Sequence, residues 1–394
     1  MSSPKYKQIY TDLLEKIKNG EFGYGARVPS EKELAEAFNV SRITSKKALD
    51  MLAEQKVIER VRGKGSFVAT PISSITAEDL ALLNDEWGGR EIKMIGLIIP
   101  DFSPDFGMTF VKSVEKICSD LNIHLMIKRT YGLIEEEAKC ITSMTELGVD
   151  GLIIIPVHGQ HYNHSLLQIV VDDFPFVLVD RFLIGIPASS VGTDNHLASK
   201  KLTEYLIRLG HEQIGFISSS LDGTSTLEER LKGFQTAFSH QGLKLDPNHI
   251  MTQIRSSLPA SKRQSKLESI FQEDMEQLGI FIGQHPEITA FVASEYEQAL
   301  MIELVLKKLG KKVPEDCSIV CFDHPNGLIV EKRFTHIKQK EELMAEKSID
   351  LLLSKFNGES ELHHLFLEFE LVEGSSSSAI KTINSLKAVY KGRA

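Results

Sequence analysis

The chain has 394 residues, 42% of them hydrophobic, which is too long for one core and apolar enough to bury two or three. No apolar run approaches the ~20 residues that cross a bilayer, and no basic-led apolar stretch opens the chain. Neither secretion nor a membrane partner is therefore expected, and the expected address is the cytoplasm. The net charge of −9 is unevenly placed: residues 1–70 carry 13 Lys+Arg against 9 Asp+Glu, a net of +4, and the rest carries −13. A basic head on an acidic body suits a nucleic-acid-binding module joined to a domain with another task, because phosphate attraction needs local rather than total charge.

From Lys5 to Lys18, Ile9, Leu13, Leu14 and Ile17 fall at helical spacing, and Asn19-Gly20 supplies the stop. After a glycine-rich turn, Ser30 can cap a second helix and Glu33 can close a capping box, with Leu34, Ala35 and Phe38 facing inward. Asn39-Val40 makes a tight turn, and Ser41 caps a third helix running through Gln55, whose Ala48, Leu49 and Leu52 face inward. The opening turns of this helix are expected to expose Arg42, Thr44, Ser45, Lys46 and Lys47. A basic, hydroxyl-bearing helix start suits the major groove, where Arg reads guanine and Ser/Thr reach bases or phosphates. Val57–Arg62 and Ser66–Thr70, joined by Gly63-Lys64-Gly65, predict a hairpin with a basic tip, a wing that can follow the sugar-phosphate backbone. Lys16, Lys18 and Lys56 are read as solvated charges.

Val28-Pro29-Ser30-Glu31-x-x-Leu34, Phe38-x-Val40-Ser41-Arg42-x-Thr44, Ala48-Leu49-x-x-Leu52 and Gly63-Lys64-Gly65-Ser66-Phe67-Val68 resemble the GntR family of bacterial regulators. The resemblance implies a winged helix-turn-helix over residues 1–70. It places Lys32, Ser41, Arg42, Thr44, Ser45, Lys46, Lys47, Arg62, Lys64 and Gly65 against double-stranded operator DNA. Ser45-Lys46 stands where the family usually has Val-Arg, so Lys46 is expected to meet a phosphate rather than a guanine pair.

Residues 71–91 read as a linker with one short amphipathic run, 77–83. Beyond it, strand and helix alternate: Lys93–Pro100, Met108–Leu121, His124–Lys128, Glu135–Leu147, Asp150–Pro156 and Phe176–Asp180. The pattern restarts with His196–Leu209, Gln213–Ser218, Glu228–Gln241, Ile288–Ala293, Glu297–Leu309 and Ser318–Phe322. Strands apolar on both faces between helices predict an α/β class with parallel sheets covered on each side.

Val149-Asp150-Gly151-Leu152-Ile153-Ile154, Val179-Asp180-Arg181, Asp194-Asn195, Leu209-Gly210-His211, Arg230-x-x-Gly233-Phe234 and Val313-Pro314-Glu315-Asp316 with Phe322-Asp323 resemble the ligand-binding core of LacI/GalR-type repressors over 92–373. A GntR-type head on such a body resembles the arabinose-repressor subgroup. The resemblance implies a type I periplasmic-binding-protein-like core of two lobes joined by three crossovers, a homodimer, and a sugar or sugar phosphate effector between the lobes. By position it assigns the effector to Asp101, Phe102, Phe106, Asp180, Arg181, Arg230 and Asp323, with Glu295 replacing a usual Asn. Asp and Arg offer bidentate partners to vicinal hydroxyls, and an aromatic face suits the apolar side of a sugar ring. Arg230 could instead be an interlobe salt bridge and Asp323 a helix cap. Cys321 and Gly374 also depart from the usual Gly and Arg, so the effector's identity stays open. A core that answers mainly to a protein partner is the alternative.

No cofactor and no metal is expected. Cys118, Cys140, Cys317 and Cys321 are too scattered for a disulfide framework or a zinc site, and His158, His161 and His164 fit no compact ligand set. No nucleophile triad, phosphate-cradling loop or paired carboxylate stands in a catalytic context, so no enzyme is expected. The tail, 374–394, carries Ile380, Ile383, Leu386 and Val389 at helical spacing, which fits either a docked helix or a frayed end.

Overall fold

The computed structural model describes residues 5–18, 20–54, 56–61, 64–69, 94–159, 163–325, 333–359 and 361–380. The expected linker 71–91, Arg62 of the wing, His161 and the end of the tail lie outside the described residues.

In the head, α1 (Lys5–Lys18) buries Ile9, Leu13 and Ile17 on one stripe. A short strand β1 (Arg27–Val28) leads to α2 (Glu31–Phe38), whose capping box forms as the sequence predicts: Glu33 N–H donates to Ser30 Oγ at 3.3 Å, and Ser30 N–H to Glu33 Oε2 at 2.7 Å. Asn39 ends the helix in the left-handed region, φ 51°. Then come α3 (Arg42–Glu54) and the antiparallel hairpin of β2 (Ile58–Val61) and β3 (Gly65–Val68), with sheet order β1-β3-β2. Val28, Leu34, Leu49, Leu52, Ile58 and Val68 close one core between the three helices and the hairpin.

The chain divides into two compact units, the head falling in the first, and each unit carries an α/β sheet. Residues up to Asp101, Phe110–Gly192 and Glu342–Leu365 belong to the first; Phe102–Thr109, Thr193–Glu341 and the chain from Phe366 belong to the second. The first carries a sheet of β4 (Met94–Ile99), β5 (His124–Arg129), β6 (Gly151–Ile154), β7 (Phe176–Val179), β8 (Ser189–Thr193) and β14 (His364–Leu367), in the order β14-β8-β7-β6-β4-β5. Strands β5 to β8 and β4 are mutually parallel, and α4 (Met108–Asp120), α5 (Ile134–Glu146), α6 (His164–Val171) and α12 (Glu341–Phe356) run between or after them.

The second unit repeats the pattern. Its sheet comprises β9 (Ile214–Ser219), β10 (Ile250–Ile254), β11 (Ala290–Ala293), β12 (Ser318–Phe322), β13 (Thr335–Gln339) and β15 (Phe369–Val372), in the order β10-β9-β11-β12-β13-β15. Its helices are α7 (Asn195–Arg208), α8 (Ser225–His240), the short α9 (Pro259–Lys262), α10 (Leu267–Gln284) and α11 (Tyr296–Lys308). Read from β5 and from β10, the two sheets have one topology, five parallel strands ordered second, first, third, fourth, fifth; in the second unit β15 adds an antiparallel edge to β13. Strands β6, β7, β11 and β12 are buried along their whole length, as their apolar runs predict. In this topology ligand sites form at the carboxyl ends of the strands, where the order reverses between first and third.

Helices α7 and α8 pack so closely that a Cβ on Gly233 would sit on the His196 backbone carbonyl, which explains a glycine inside a helix. The packed chain continues past 373: Ile319 N–H donates to Ser376 O at 2.9 Å and Ile380 N–H to Leu209 O at 2.9 Å, so residues 374–380 line the second unit rather than hang from it. His211 anchors the same region through Thr289, Ser318 and the Ser378 carbonyl. Among the described residues no helix is long and apolar enough to cross a membrane.

Candidate functional site

The head presents Lys32, Arg42, Lys46 and Lys64 as exposed cations on α2, α3 and the hairpin tip. Lys32 has only a loose pair with Glu36 at 3.8 Å on the same exposed helix face. Ser41 uses its hydroxyl on the helix start, accepting from Thr44 N–H at 3.2 Å and sharing a bond with Thr44 Oγ1 at 3.0 Å. Lys47 is half-buried with its ammonium 4.6 Å from the Tyr6 ring centroid. Gly65 holds φ 118° beside the Arg27 side chain, a backbone state that a larger residue resists.

Two expectations are corrected here. Ser45 is fully buried and donates to Glu31 O at 2.6 Å, because Ser45, Ala48, Leu49 and Leu52 share the inward stripe of α3; it ties α3 to α2 and is withdrawn from the groove. Thr44 is likewise buried, at 6% exposure, so it is not presented to solvent with Arg42 and Lys46.

In the first α/β unit, Asp101 follows β4 and pairs with Arg129 at the end of β5, 2.6 Å, while the Arg129 guanidinium lies 4.7 Å from the Tyr131 centroid. After β7, Asp180 takes φ 66°, and Arg181 donates to Pro156 O at 2.8 Å and reaches His158 Nε2 at 3.0 Å, with its Nε 3.3 Å from Asp180 Oδ2. These groups all stand at the carboxyl edge of one parallel sheet. The loop sequence after β4 divides, with Asp101 in the first unit and the half-buried Phe102 and Phe106 in the second.

The corresponding edge of the second unit is drier. Arg230 of α8 is only 4% exposed; its Nε donates to Asn195 Oδ1 at 2.7 Å, its Nη1 to Ser294 O at 2.6 Å, and its guanidinium lies 3.8 Å from the Phe322 ring centroid. Asp323 follows β12 at φ 64°, matching Asp180 after β7, and accepts from Gln339 Nε2 at 3.0 and 3.1 Å. Non-glycine residues rarely hold this conformation, and such positions gather at ligand sites. Burial pushes the Asp323 carboxyl well above the ordinary carboxylate range, against the opposing pull of Arg230 and Gln339. Glu295 accepts from Ser257 Oγ at 2.9 Å and Gln298 Nε2 at 2.8 Å, within a chain of hydroxyls and amides that includes Ser218, Ser219 and Ser294.

The sequence matches the profile described as bacterial regulatory proteins, gntR family, over residues 5–68, and that of a periplasmic binding protein-like domain over residues 203–377. The chain joins a GntR-family head to a periplasmic-binding-protein-like core. The regulator is 27% identical over 324 residues to the arabinose metabolism transcriptional repressor of Halalkalibacterium halodurans, covering 81% of this chain and 80% of that one. It is 24% identical to the repressor of the same name from Geobacillus stearothermophilus, covering 89% and 90%. In fold it is similar to the transcription regulator CcpA of Lactococcus lactis, with a TM-score of 0.62 at 21% identity over 73% of this chain and 99% of that one. A LacI-type regulator from Alkaliphilus metalliredigens, solved with D-xylulofuranose, gives a TM-score of 0.60 at 21% identity over 72% and 99%.

Sequence reading of the regulator missed the residues that hold its polar groups in place. Arg60 of β2 pairs with both Glu31 and Asp50, fastening the hairpin to α2 and α3. Asn195 and Gln339 orient Arg230 and Asp323, and Asn163 with the Val157 N–H satisfies the buried Glu137 behind the His158 loop. Asn195 was within reach, as part of the Asp194-Asn195 pair; Gln339 had no signal beyond the end of a strand.

Proposed function

We propose that this regulator represses carbohydrate-utilisation genes as a cytoplasmic homodimer on double-stranded operator DNA. In this reading a sugar or sugar-derived effector, taken up by the polar clusters at the carboxyl ends of the strands, controls its operator binding. The observation that carries the reading is the Arg230–Asp323 edge of the second unit: two dry, pre-oriented ionisable side chains with the Phe322 ring beneath the guanidinium. Such groups are held by neighbours before any ligand arrives, so vicinal hydroxyls meet fixed partners and little ordering entropy is lost. The Asp101, Asp180 and Arg181 cluster of the first unit offers the same chemistry on the equivalent strands. The arabinose-repressor names of the relatives, and D-xylulofuranose bound to a protein of similar fold, support a sugar over other polar effectors. An effector shifts the DNA-bound population only through contacts that differ between two states of the protein.

The test is a thermal-shift screen of the whole chain against monosaccharides, disaccharides and their phosphates. A cognate compound at 100 times its dissociation constant adds about 2.7 kcal/mol to stability. Silence across the whole set, in a protein that still binds operator, would turn the reading to control by a protein partner.

A further inference from the structure

We propose that His249, His285 and Glu287 form a binding site for a divalent transition-metal ion of the zinc type, at the amino-terminal edge of the second unit's sheet. His249 ends the 3-10 turn Pro247–His249 just before β10, His285 caps the carboxyl end of α10, and Glu287 lies on the short connection into β11. Their ligand atoms all lie within 4.8 Å of one another. His249 Nε2 is 2.9 Å and His285 Nδ1 3.2 Å from the same Glu287 oxygen.

Two imidazole nitrogens and a carboxylate oxygen are a donor set of three-ligand zinc sites, which keep a fourth position for water or a substrate group. Metal–ligand distances of about 2.0–2.1 Å require neighbouring donors in a tetrahedron to stand about 3.3 Å apart. The two nitrogen–oxygen separations need only a few tenths of an ångström to reach that spacing. The imidazole rings are already oriented: they meet edge to face at 5.2 Å, and the His285 ring packs 5.1 Å from Phe281. His249 is 3% exposed and the Glu287 side chain 46%, so the site is dry at one end and open to entry at the other. An ion here would clamp the turn before β10 to the connection into β11, joining two segments that flank β9. It stands at the opposite end of the strands from Arg230 and Asp323, so ion binding and sugar binding are separable. His285 and Glu287 are two residues apart, but His249 lies 36 residues before His285, so no compact spacing in the sequence announces the set.

The whole chain, stripped with a chelator, is titrated with zinc chloride alone by calorimetry and with cobalt chloride by visible absorption. The expected result is saturable binding of about one zinc ion per chain, and the strong visible bands of four-coordinate cobalt. Glu287→Gln and His285→Gln, which alter exposed or half-buried side chains and spare the buried His249, should each weaken zinc binding at least roughly tenfold without changing operator affinity. Absence of saturable binding up to millimolar zinc overturns the site. So does binding of unchanged affinity and stoichiometry in both variants, which would move the ion to other histidines such as His158 and His164.

Discussion

The head and the second α/β unit handle charge in opposite ways. On the head, Arg42, Lys46 and Lys64 stand in solvent, while Arg60 pairs with Glu31 and Asp50 and braces the hairpin against α2 and α3. In the second unit, Arg230 and Asp323 are taken out of water, and the guanidinium is held by Asn195, the Ser294 carbonyl and the Phe322 ring. A polyphosphate surface rewards exposed cations that neutralise charge and release counterions, whereas a small polar ligand rewards groups whose desolvation is already complete. Substitutions should therefore separate cleanly, with stability effects in the buried cluster and binding effects on the head.

The largest expected effect is Arg230→Ala. It leaves Asn195 Oδ1 and the Ser294 carbonyl without their donor and opens a void against Phe322, so urea unfolding should show a loss of about 3 kcal/mol or more, at 1–3 kcal/mol per orphaned group. A loss below about 1 kcal/mol would mean that the guanidinium is not part of the packed core. Next comes Arg42→Ala, expected to cost about 1–3 kcal/mol of operator affinity and to relax base preference, with thermal stability unchanged. Unaltered affinity in a gel shift would remove Arg42 from the reading surface. Ser45→Ala sharpens the contrast from within the head: loss of its bond to Glu31 O should lower stability by about 1 kcal/mol and leave base preference alone. A change of preferred operator without a change in melting would return Ser45 to the groove.

The smallest effect is a pH dependence. Burial raises the Asp323 pKa, so the folded chain holds that proton to higher pH than the unfolded chain does. Stability from this group is fully present below the ordinary aspartate value of about 3.9, and is lost as pH rises from there through the raised value. Asp323→Ala should lack that loss, and its melting temperature relative to the parent should climb with pH. A constant difference from pH 4 to pH 8 would show that the carboxyl titrates normally.

The head was legible almost residue by residue, because capping boxes, helical stripes and glycine turns are local rules: Ser30, Glu33 and the Ala48–Leu49–Leu52 stripe lie where spacing puts them. The error at Ser45 came from reading chemistry before periodicity, since the same stripe includes position 45. In the two α/β units the apolar strands β6, β7, β11 and β12 announced themselves. Strands β8 and β13, written Ser189-Ser190-Val191-Gly192-Thr193 and Thr335-His336-Ile337-Lys338-Gln339, did not, because their pairing is decided by distant partners. The motif residues Asp180, Arg230 and Asp323 were nameable; the groups that hold the last two, Asn195 at the start of α7 and Gln339 at the end of β13, meet them only in the folded sheet and carry no local pattern.

One experiment bears most directly on effector control: fluorescence anisotropy of an operator duplex titrated with the whole chain, with and without the sugar found by thermal shift, for the parent and for Asp323→Ala. The Asp323 carboxyl group accepts from Gln339 and lies far from the exposed cations of the head in sequence, so basal operator affinity should match between the two. The parent should change its affinity at least about tenfold when sugar is added, equivalent to about 1.4 kcal/mol of coupling, and the variant should not respond. An Asp323→Ala protein that answers the same sugar at the same concentrations would show that the buried edge of the second unit is not where the effector acts.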